Sequence, residues 1–227
     1  MLQLVIGNKN YSSWSMRPWV LLKHFGIPFD EIRLRFDFTP GSDFYRALAR
    51  YTPAAKVPVL LIDGFPVWDT LAITEAVADL RPDLAIWPRD AQARARARSL
   101  CAEMHSGFSA LRQHCPMNIE AALPEVGARV LAEHDAVRRD LARVDAMWLE
   151  QLAASGGSFL FGAFGAADAF YAPVVARLRT YALPVSAPVA DYMQRVWAAP
   201  GVADWVADAL AERDFLDFEE PYRKSRG

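Results

Sequence analysis

The stretch "KVPVLLIDGFPVWDT" (residues 56–70) decides the fold. Two apolar, β-branched runs flank Asp63-Gly64, a pair that tolerates the positive φ angles of a two-residue hairpin turn. The segment therefore predicts two antiparallel strands. Immediately after it, "TLAITEAVADLRP" repeats apolar residues at helical spacing until Pro82 stops the pattern. Working upstream, "DFYRALARY" reads as a short helix that ends before Thr52-Pro53, and "FDEIRLRF" (residues 29–36) alternates as a strand should. "WVLLKHFG" is helical up to Gly26, and "LQLVIG" (residues 2–7) is a short apolar strand. The order is βαβαββα, which specifies a mixed four-stranded sheet with helices packed on it.

Downstream the character changes. "AQARARARSLCAEMHSGFSALRQH" reads as one helix. "LPEVGARVLAEHDAVRRDLARVDAMWLEQLAAS" reads as a second long one, opened by Pro124 and closed at Gly156-Gly157. "DAFYAPVVARLRTYA", "APVADYMQRVWAAP" and "VADWVADALAERD" add three more helical segments, and no strand pattern follows residue 68. An α/β domain over residues 1–83 and an all-helical domain over 90–227 follow, joined through "RPDLAIWPRD".

Composition narrows the function. The 227 residues are 53% hydrophobic with a formal charge of −2, so there is none of the basic excess that nucleic-acid binding uses. Cys101 and Cys115 have no metal-ligand spacing and no disulfide framework. The N-terminus lacks the charged start and apolar run of a secretory signal, and no stretch is long enough to span a membrane. A soluble cytoplasmic protein without a metal is the expectation.

Three short stretches carry candidate chemistry. In "NYSSWSMRPW" (residues 10–19), Pro18 is tolerated only in a first helical turn, which assigns Ser15 as the helix cap and leaves Ser12 and Ser13 with spare hydroxyls. In "AAKVPVL", Pro58 either lies on a sheet edge or follows a cis Val57–Pro58 bond that presents the Val57 backbone to an extended peptide. In "VWDT", Asp69 and Thr70 either cap the following helix or hold a ligand carboxylate at its positive end, with Asp69 taking an ammonium group.

Together these stretches resemble the glutathione transferase family over nearly the whole chain. "AKVPVL" is similar to that family's "KVPxL" turn, "WDT" stands where Glu-Ser or Asp-Ser is usual, and "SSWSMRPW" resembles the zeta-class signature "SSCSxRVR". "GAFGAADAFYAPV" looks like the buried "SxADxxxxP" motif, with Asp168 as its acid and Gly165 at the usual serine or threonine position. Trp14 replaces the signature's cysteine, and Thr70 the usual serine.

The resemblance implies a thioredoxin-like first domain that binds glutathione as cosubstrate and a helical domain that supplies the site for a small electrophile. Val57, beside Pro58, would pair with the tripeptide backbone. Asp69 and Thr70 would hold its γ-glutamyl end, and Lys56 its glycine carboxylate. Ser12 or Ser13, and less directly Ser15, would donate a hydrogen bond that keeps the sulfur ionised. Trp14, Met104, His105, Phe108 and Arg112 would face the electrophile. Conjugation in detoxification is the activity implied, with a maleylacetoacetate-type isomerisation or a non-catalytic binding role as alternatives. The absence of cysteine near residues 12–16 argues against thiol–disulfide exchange. A homodimer is implied as well, with "DFTPGSDFYRA" contributing to its interface.

Overall fold

The computed structural model describes residues 1–226. The first part of the chain runs β1 (Leu2–Ile6), α1 (Ser13–His24), β2 (Asp30–Arg33), α2 (Asp43–Leu48), β3 (Val59–Ile62), β4 (Phe65–Trp68) and α3 (Thr70–Leu80). The strands form one mixed sheet in the order β2-β1-β3-β4. β1 is parallel to β2 and antiparallel to β3, and β3 is antiparallel to β4. This is the thioredoxin-like arrangement.

The hairpin closes as its residues dictate. Ile62 pairs with Phe65, so Asp63 and Gly64 form the whole loop, and both have positive φ, 51° and 85°. Pro66 lies in β4, an edge strand, where its missing donor costs the sheet nothing. The Val57–Pro58 bond at the entrance to β3 is cis.

The remaining residues form a helical domain: α4 (Ala91–Ser106), α5 (Ser109–His114), α6 (Pro124–Glu133), α7 (Asp135–Ser155), α8 (Ala166–Thr180), α9 (Ala187–Ala198) and α10 (Pro200–Glu212), then a 3₁₀ turn at Asp217–Glu219. Two helices expected as continuous are broken. The first divides at Gly107, where a Cβ would meet the Glu103 carbonyl oxygen at 2.7 Å, and at left-handed Phe108 with φ 53°. The Arg112 guanidinium donates back to the His105 and Gly107 carbonyls, at 3.4 and 3.3 Å, and ties the two pieces together. The second divides at His134, which leaves the helical region with ψ 94°. A small pair of bridges, Phe159 with Gly162 and Phe161 with Ala163, also lies beyond residue 68.

α8 is the spine of the molecule, buried along almost its whole length and packed against α1, α4 and α9. Its start is organised by Asp168, which accepts from the Gly165 amide at 2.9 Å, the Leu160 amide at 3.1 Å and the Tyr192 hydroxyl at 3.0 Å. Gly165 has no side chain to return the cap, so only half of a capping box forms. Burial raises the Asp168 carboxyl to about 6 against these three donors.

The two domains are also latched at α10. Lys9 is buried, and its ammonium lies 2.6 Å from Asp208 Oδ2 and 2.7 Å from Glu31 Oε2. It sits over the Trp19 ring at 4.4 Å, while Trp205 Nε1 donates to the Lys9 carbonyl. This latch fixes α1 between the sheet and the helical domain. No helix among the described residues is long and apolar enough to cross a membrane.

Candidate active site

A cavity of about 960 Å³ opens where the sheet meets the helical domain. Its walls come from the start of α1, the segment before β3, the junction of β4 and α3, the break between α4 and α5, the inner face of α8, and the 3₁₀ turn near the C-terminus.

The sheet-side wall carries Lys56, Val57, Pro58, Asp69 and Thr70 together. Asp69 is the residue before α3 and has φ 74°, a conformation rarely adopted without glycine. That turn lets its Oδ1 accept the Leu71 amide at 2.9 Å while Oδ2 faces His105 Nε2 at 3.3 Å. Thr70 is fully buried, and its Oγ accepts from Arg17 at 3.4 Å.

The start of α1 differs from the sequence-based expectation. The residue before the helix is Ser12, and no side chain caps it. Ser15 is not the cap. It is fully buried beneath the helix start, where its oxygen accepts from the Gly7 amide at 3.2 Å and from the Ser12 hydroxyl at 2.7 Å. Pro18 is then the sixth helical residue, deeper than a first turn allows. Ser12 and Ser13 both line the cavity, and Ser15 does not.

Ser13 has a partner that no local pattern could reveal. Arg177 of α8 donates to its oxygen at 3.3 Å and also to the Pro173 carbonyl at 3.2 Å. Arg17 and Arg112 stand nearby. The Trp14 ring lies between them, 4.2 Å from the Arg17 guanidinium and 5.1 Å from that of Arg112, with His105 edge-on at 5.0 Å. The hydrogen bonds of these three arginines go to hydroxyls and carbonyls, and not to carboxylates. Burial, reinforced by their mutual repulsion, lowers Arg17 to about 9 and Arg177 to about 10. Arg17 Nε and Arg177 Nε are buried without a partner. Arg112 and Arg177 line the cavity, with Arg17 fully buried nearby, and beside two hydroxyls and an uncapped helix N-terminus they form an anion-seeking surface.

On the electrophile side, Trp14, His105 and Arg112 reach the cavity. Met104 and Phe108 do not: Met104 is 0% and Phe108 6% exposed, and both pack in the main hydrophobic core. The break at Gly107–Phe108 ends the helical spacing that had aligned them with His105 and Arg112.

The cavity also contains residues that sequence spacing did not single out, notably Tyr11, Arg177 and Glu219. The Tyr11 hydroxyl donates to Glu220 Oε1 at 2.7 Å, and burial and that carboxylate hold its pKa well above the ordinary phenol range. Its proton is therefore committed to Glu220 and not to a ligand. No local signal marked Arg177 or Glu219, because they come from a helix and a tail far along the chain.

Comparison with known proteins identifies the family. The family model described as "Glutathione S-transferase, N-terminal domain" matches residues 11–80, and "Glutathione S-transferase, C-terminal domain" matches residues 91–208. The chain belongs to the glutathione S-transferase family. A solved glutathione transferase homologue from Burkholderia GL BGR1, with bound glutathione, superposes with a TM-score of 0.71 at 23% identity, covering 92% of this chain and 98% of that one. Human glutathione S-transferase T1-1 in its apo form gives 0.65 at 26% identity, covering 93% and 89%. Curated relatives include maleylacetoacetate isomerase of Rattus norvegicus, 31% identical over 100 residues, which is 44% of this chain and 45% of that protein. The probable maleylacetoacetate isomerase of Caenorhabditis elegans is 30% identical over 99 residues, 44% of each chain. These alignments span less than half the length of the curated relatives.

Among the described residues no cluster of His, Cys, Asp or Glu has the grouping of a metal site. Neither cysteine enters the cavity wall, and both are buried.

Proposed function

We propose that this glutathione S-transferase binds glutathione along Lys56, Val57, Asp69 and Thr70, holds its sulfur as a thiolate through Ser13, and directs it at an electrophile that carries a carboxylate. The observation that carries this reading is the Arg177–Ser13 hydrogen bond at 3.3 Å. A guanidinium that donates to the hydroxyl oxygen leaves the Ser13 hydrogen free and makes it a better donor. Ser12 has its hydroxyl engaged with Ser15. A serine cannot act as a base at neutral pH, so its role here is to stabilise the anion.

The energetics suffice. A free thiol with a pKa of about 8.5 is roughly 3% ionised at pH 7. A hydrogen bond to a charged group contributes about 1.5–3 kcal/mol, and a helix N-terminus about 0.3–1 kcal/mol more. At about 1.4 kcal/mol per unit, these lower the pKa by roughly 1.5–3 units and make the thiolate the major form.

The substrate class follows from the arginines. Arg177 and Arg112 both face the cavity and neither is ion-paired: their hydrogen bonds go to carbonyls and a hydroxyl, and the Glu219 carboxylate shares the cavity without bonding to either. A carboxylate on the electrophile would supply the missing charge. Two reactions fit. In substitution, the thiolate forms a C–S bond and a leaving group departs with its electron pair. In isomerisation, the thiolate adds to a conjugated double bond, the resulting single bond rotates, and the sulfur leaves unchanged. The kinship with proteins named maleylacetoacetate isomerase favours the second. A homodimer in the cytoplasm belongs to the same reading, and exposed Phe65 of β4 and Leu80 of α3 are apolar side chains that such a contact would cover. The deciding assay offers glutathione with a maleyl isomerisation substrate and with a neutral aryl halide. Turnover of the aryl halide alone would refute the carboxylate reading, and absence of glutathione binding would refute the whole of it.

A further inference from the structure

The segment after α10 is held firmly against the first domain. Asp214 pairs with Arg35 at 2.8 Å and accepts from the Asn8 amide at 3.0 Å. Glu220 accepts from Tyr11 at 2.7 Å, from Asn118 at 2.9 Å, and from Arg223. Tyr222 donates to the His114 carbonyl at 2.8 Å, and Phe218 packs on Phe38 with ring centroids 5.2 Å apart. These ties explain every acidic side chain of the segment from Asp214 to Glu220 that is buried, except one. Glu219 is half-buried and lines the cavity with Ser13, Arg112 and Arg177; its backbone amide donates to the Leu216 carbonyl at 2.8 Å, but its carboxylate forms no ion pair or hydrogen bond among the described residues.

A carboxylate without a partner, placed in a pocket that Arg112 and Arg177 also line, bears directly on what that pocket accepts. We propose that Glu219 makes binding of a carboxylate-bearing electrophile proton-coupled: its carboxylate repels the substrate's in the shared cavity beside Arg177, and gives way by taking up one proton. Resting on the anionic substrate proposed above, this makes Glu219 a specificity-determining residue.

The groups facing Glu219 set its balance. Arg177 of α8 favours its charged form, and Arg112 of α5 stands across the same cavity. Glu220 of its own turn opposes ionisation, although Glu220 spends its charge on Arg223, Tyr11 and Asn118. Burial, then Glu220, raises the Glu219 carboxyl to about 7 against the pull of Arg177. A second carboxylate brought to Arg177 adds a further like charge and pushes it higher still. Below that pKa the acid is already neutral and binding carries no proton. Above it, each unit of pH weakens binding about tenfold, because a proton must be drawn from increasingly dilute solution.

The test uses the full chain and two stable adducts, S-(carboxymethyl)glutathione and S-methylglutathione, which differ at the sulfur substituent by one carboxylate. Calorimetric titration in buffers of different ionisation heat counts the protons taken up. The carboxymethyl adduct should take up close to one proton at about pH 8, and its Kd should rise about tenfold per pH unit above 7. The methyl adduct should take up none beyond the protons that other groups exchange with both ligands. In Glu219→Gln the extra proton should vanish and the Kd for the carboxymethyl adduct should stay flat across that range. Equal proton counts for the two adducts on the wild-type protein, which needs no variant, would overturn the proposal and leave the glutathione reading standing. So would an extra proton that survives in Glu219→Gln. Failure of S-methylglutathione to bind would overturn both.

Discussion

Replacing Ser13 with alanine isolates the thiol-activating bond. The hydroxyl lost is the one whose oxygen accepts from Arg177 at 3.3 Å and whose hydrogen is free toward the cavity. A hydrogen bond to a charged acceptor contributes about 1.5–3 kcal/mol, so the bound thiol should rise by about 1–2 pKa units. The lower figure is favoured here, because Arg177 loses its acceptor in the same substitution and its freed N–H can turn toward the sulfur. The expected result is therefore a rise of about one unit and, because the wild-type bound thiol is already mostly ionised at pH 7, a fall in kcat/KM of at most about fivefold there. The two enzymes should converge at high pH, where the thiol ionises without help. Ultraviolet absorbance of the bound thiolate, titrated against pH, reads the shift directly. Affinity for S-methylglutathione, which has no thiol proton, should be unchanged. Ser12→Ala is the paired control: Ser12 bonds to Ser15 at 2.7 Å, so its loss should move the thiol much less. A large shift in Ser12→Ala with none in Ser13→Ala would refute the assignment, and no shift in either would refute activation by a hydroxyl.

Three other substitutions or probes test the scaffold. Asp168→Asn keeps one carbonyl oxygen but aims an amide at a backbone N–H, leaving at least one of the Gly165 and Leu160 amides without an acceptor; a loss of about 2–4 kcal/mol in urea unfolding is expected. Gly127→Ala would place a Cβ 1.9 Å from the Tyr181 carbonyl oxygen, a contact that only backbone movement relieves, so destabilisation of about 1–3 kcal/mol should appear as a lower Tm. Cys101 and Cys115 are both buried, and burial raises Cys115 to about 12 and Cys101 beyond the ordinary thiol range. An aromatic disulfide reagent should label neither in the native protein and both in denaturant, and fast native labelling would contradict their burial.

The parts of the fold that local chemistry specifies were readable in the residues. Asp63-Gly64 requires two consecutive positive φ angles, and few other dipeptides accept them, so the hairpin and its two-residue loop could be placed directly. The helix breaks were harder. Gly107 was a visible weak point, but the turn also needs Phe108 in a left-handed conformation that its side chain disfavours, and the clamp from Arg112 closes only once the chain has folded. Pro18 misled for a related reason. Its missing donor argues locally for a later helix start, yet α1 is gripped by the sheet, α3, α8 and α10, and that packing outweighs one absent backbone bond. Lys56, Val57, Pro58, Asp69 and Thr70 come from two nearby segments and could be grouped from sequence. Arg177 lies 164 residues from the serine it touches, and spacing carries no information across that distance.

Several departures from local rules meet at the cavity. Ser12 stands at the head of a helix it does not cap, and Asp69 holds φ 74°, a strain of order 1 kcal/mol. Arg17 and Arg177 are buried, each with an Nε that has no partner, and their charge is met by hydroxyls, carbonyls and an aromatic face. Other charged groups of the same chain are fully met: Asp168 satisfies three donors, Lys9 meets two carboxylates, and Asp90 and Ser42 cap their helices. Buried guanidinium charge left short of anions beside a cavity favours a ligand that completes it. What is short is negative charge at the helix N-terminus and at the arginines. A thiolate at the first and a carboxylate at the second would complete both, which is why a neutral electrophile should leave Arg112 and Arg177 as uncompensated as they stand and react more slowly than a carboxylated one of equal intrinsic reactivity.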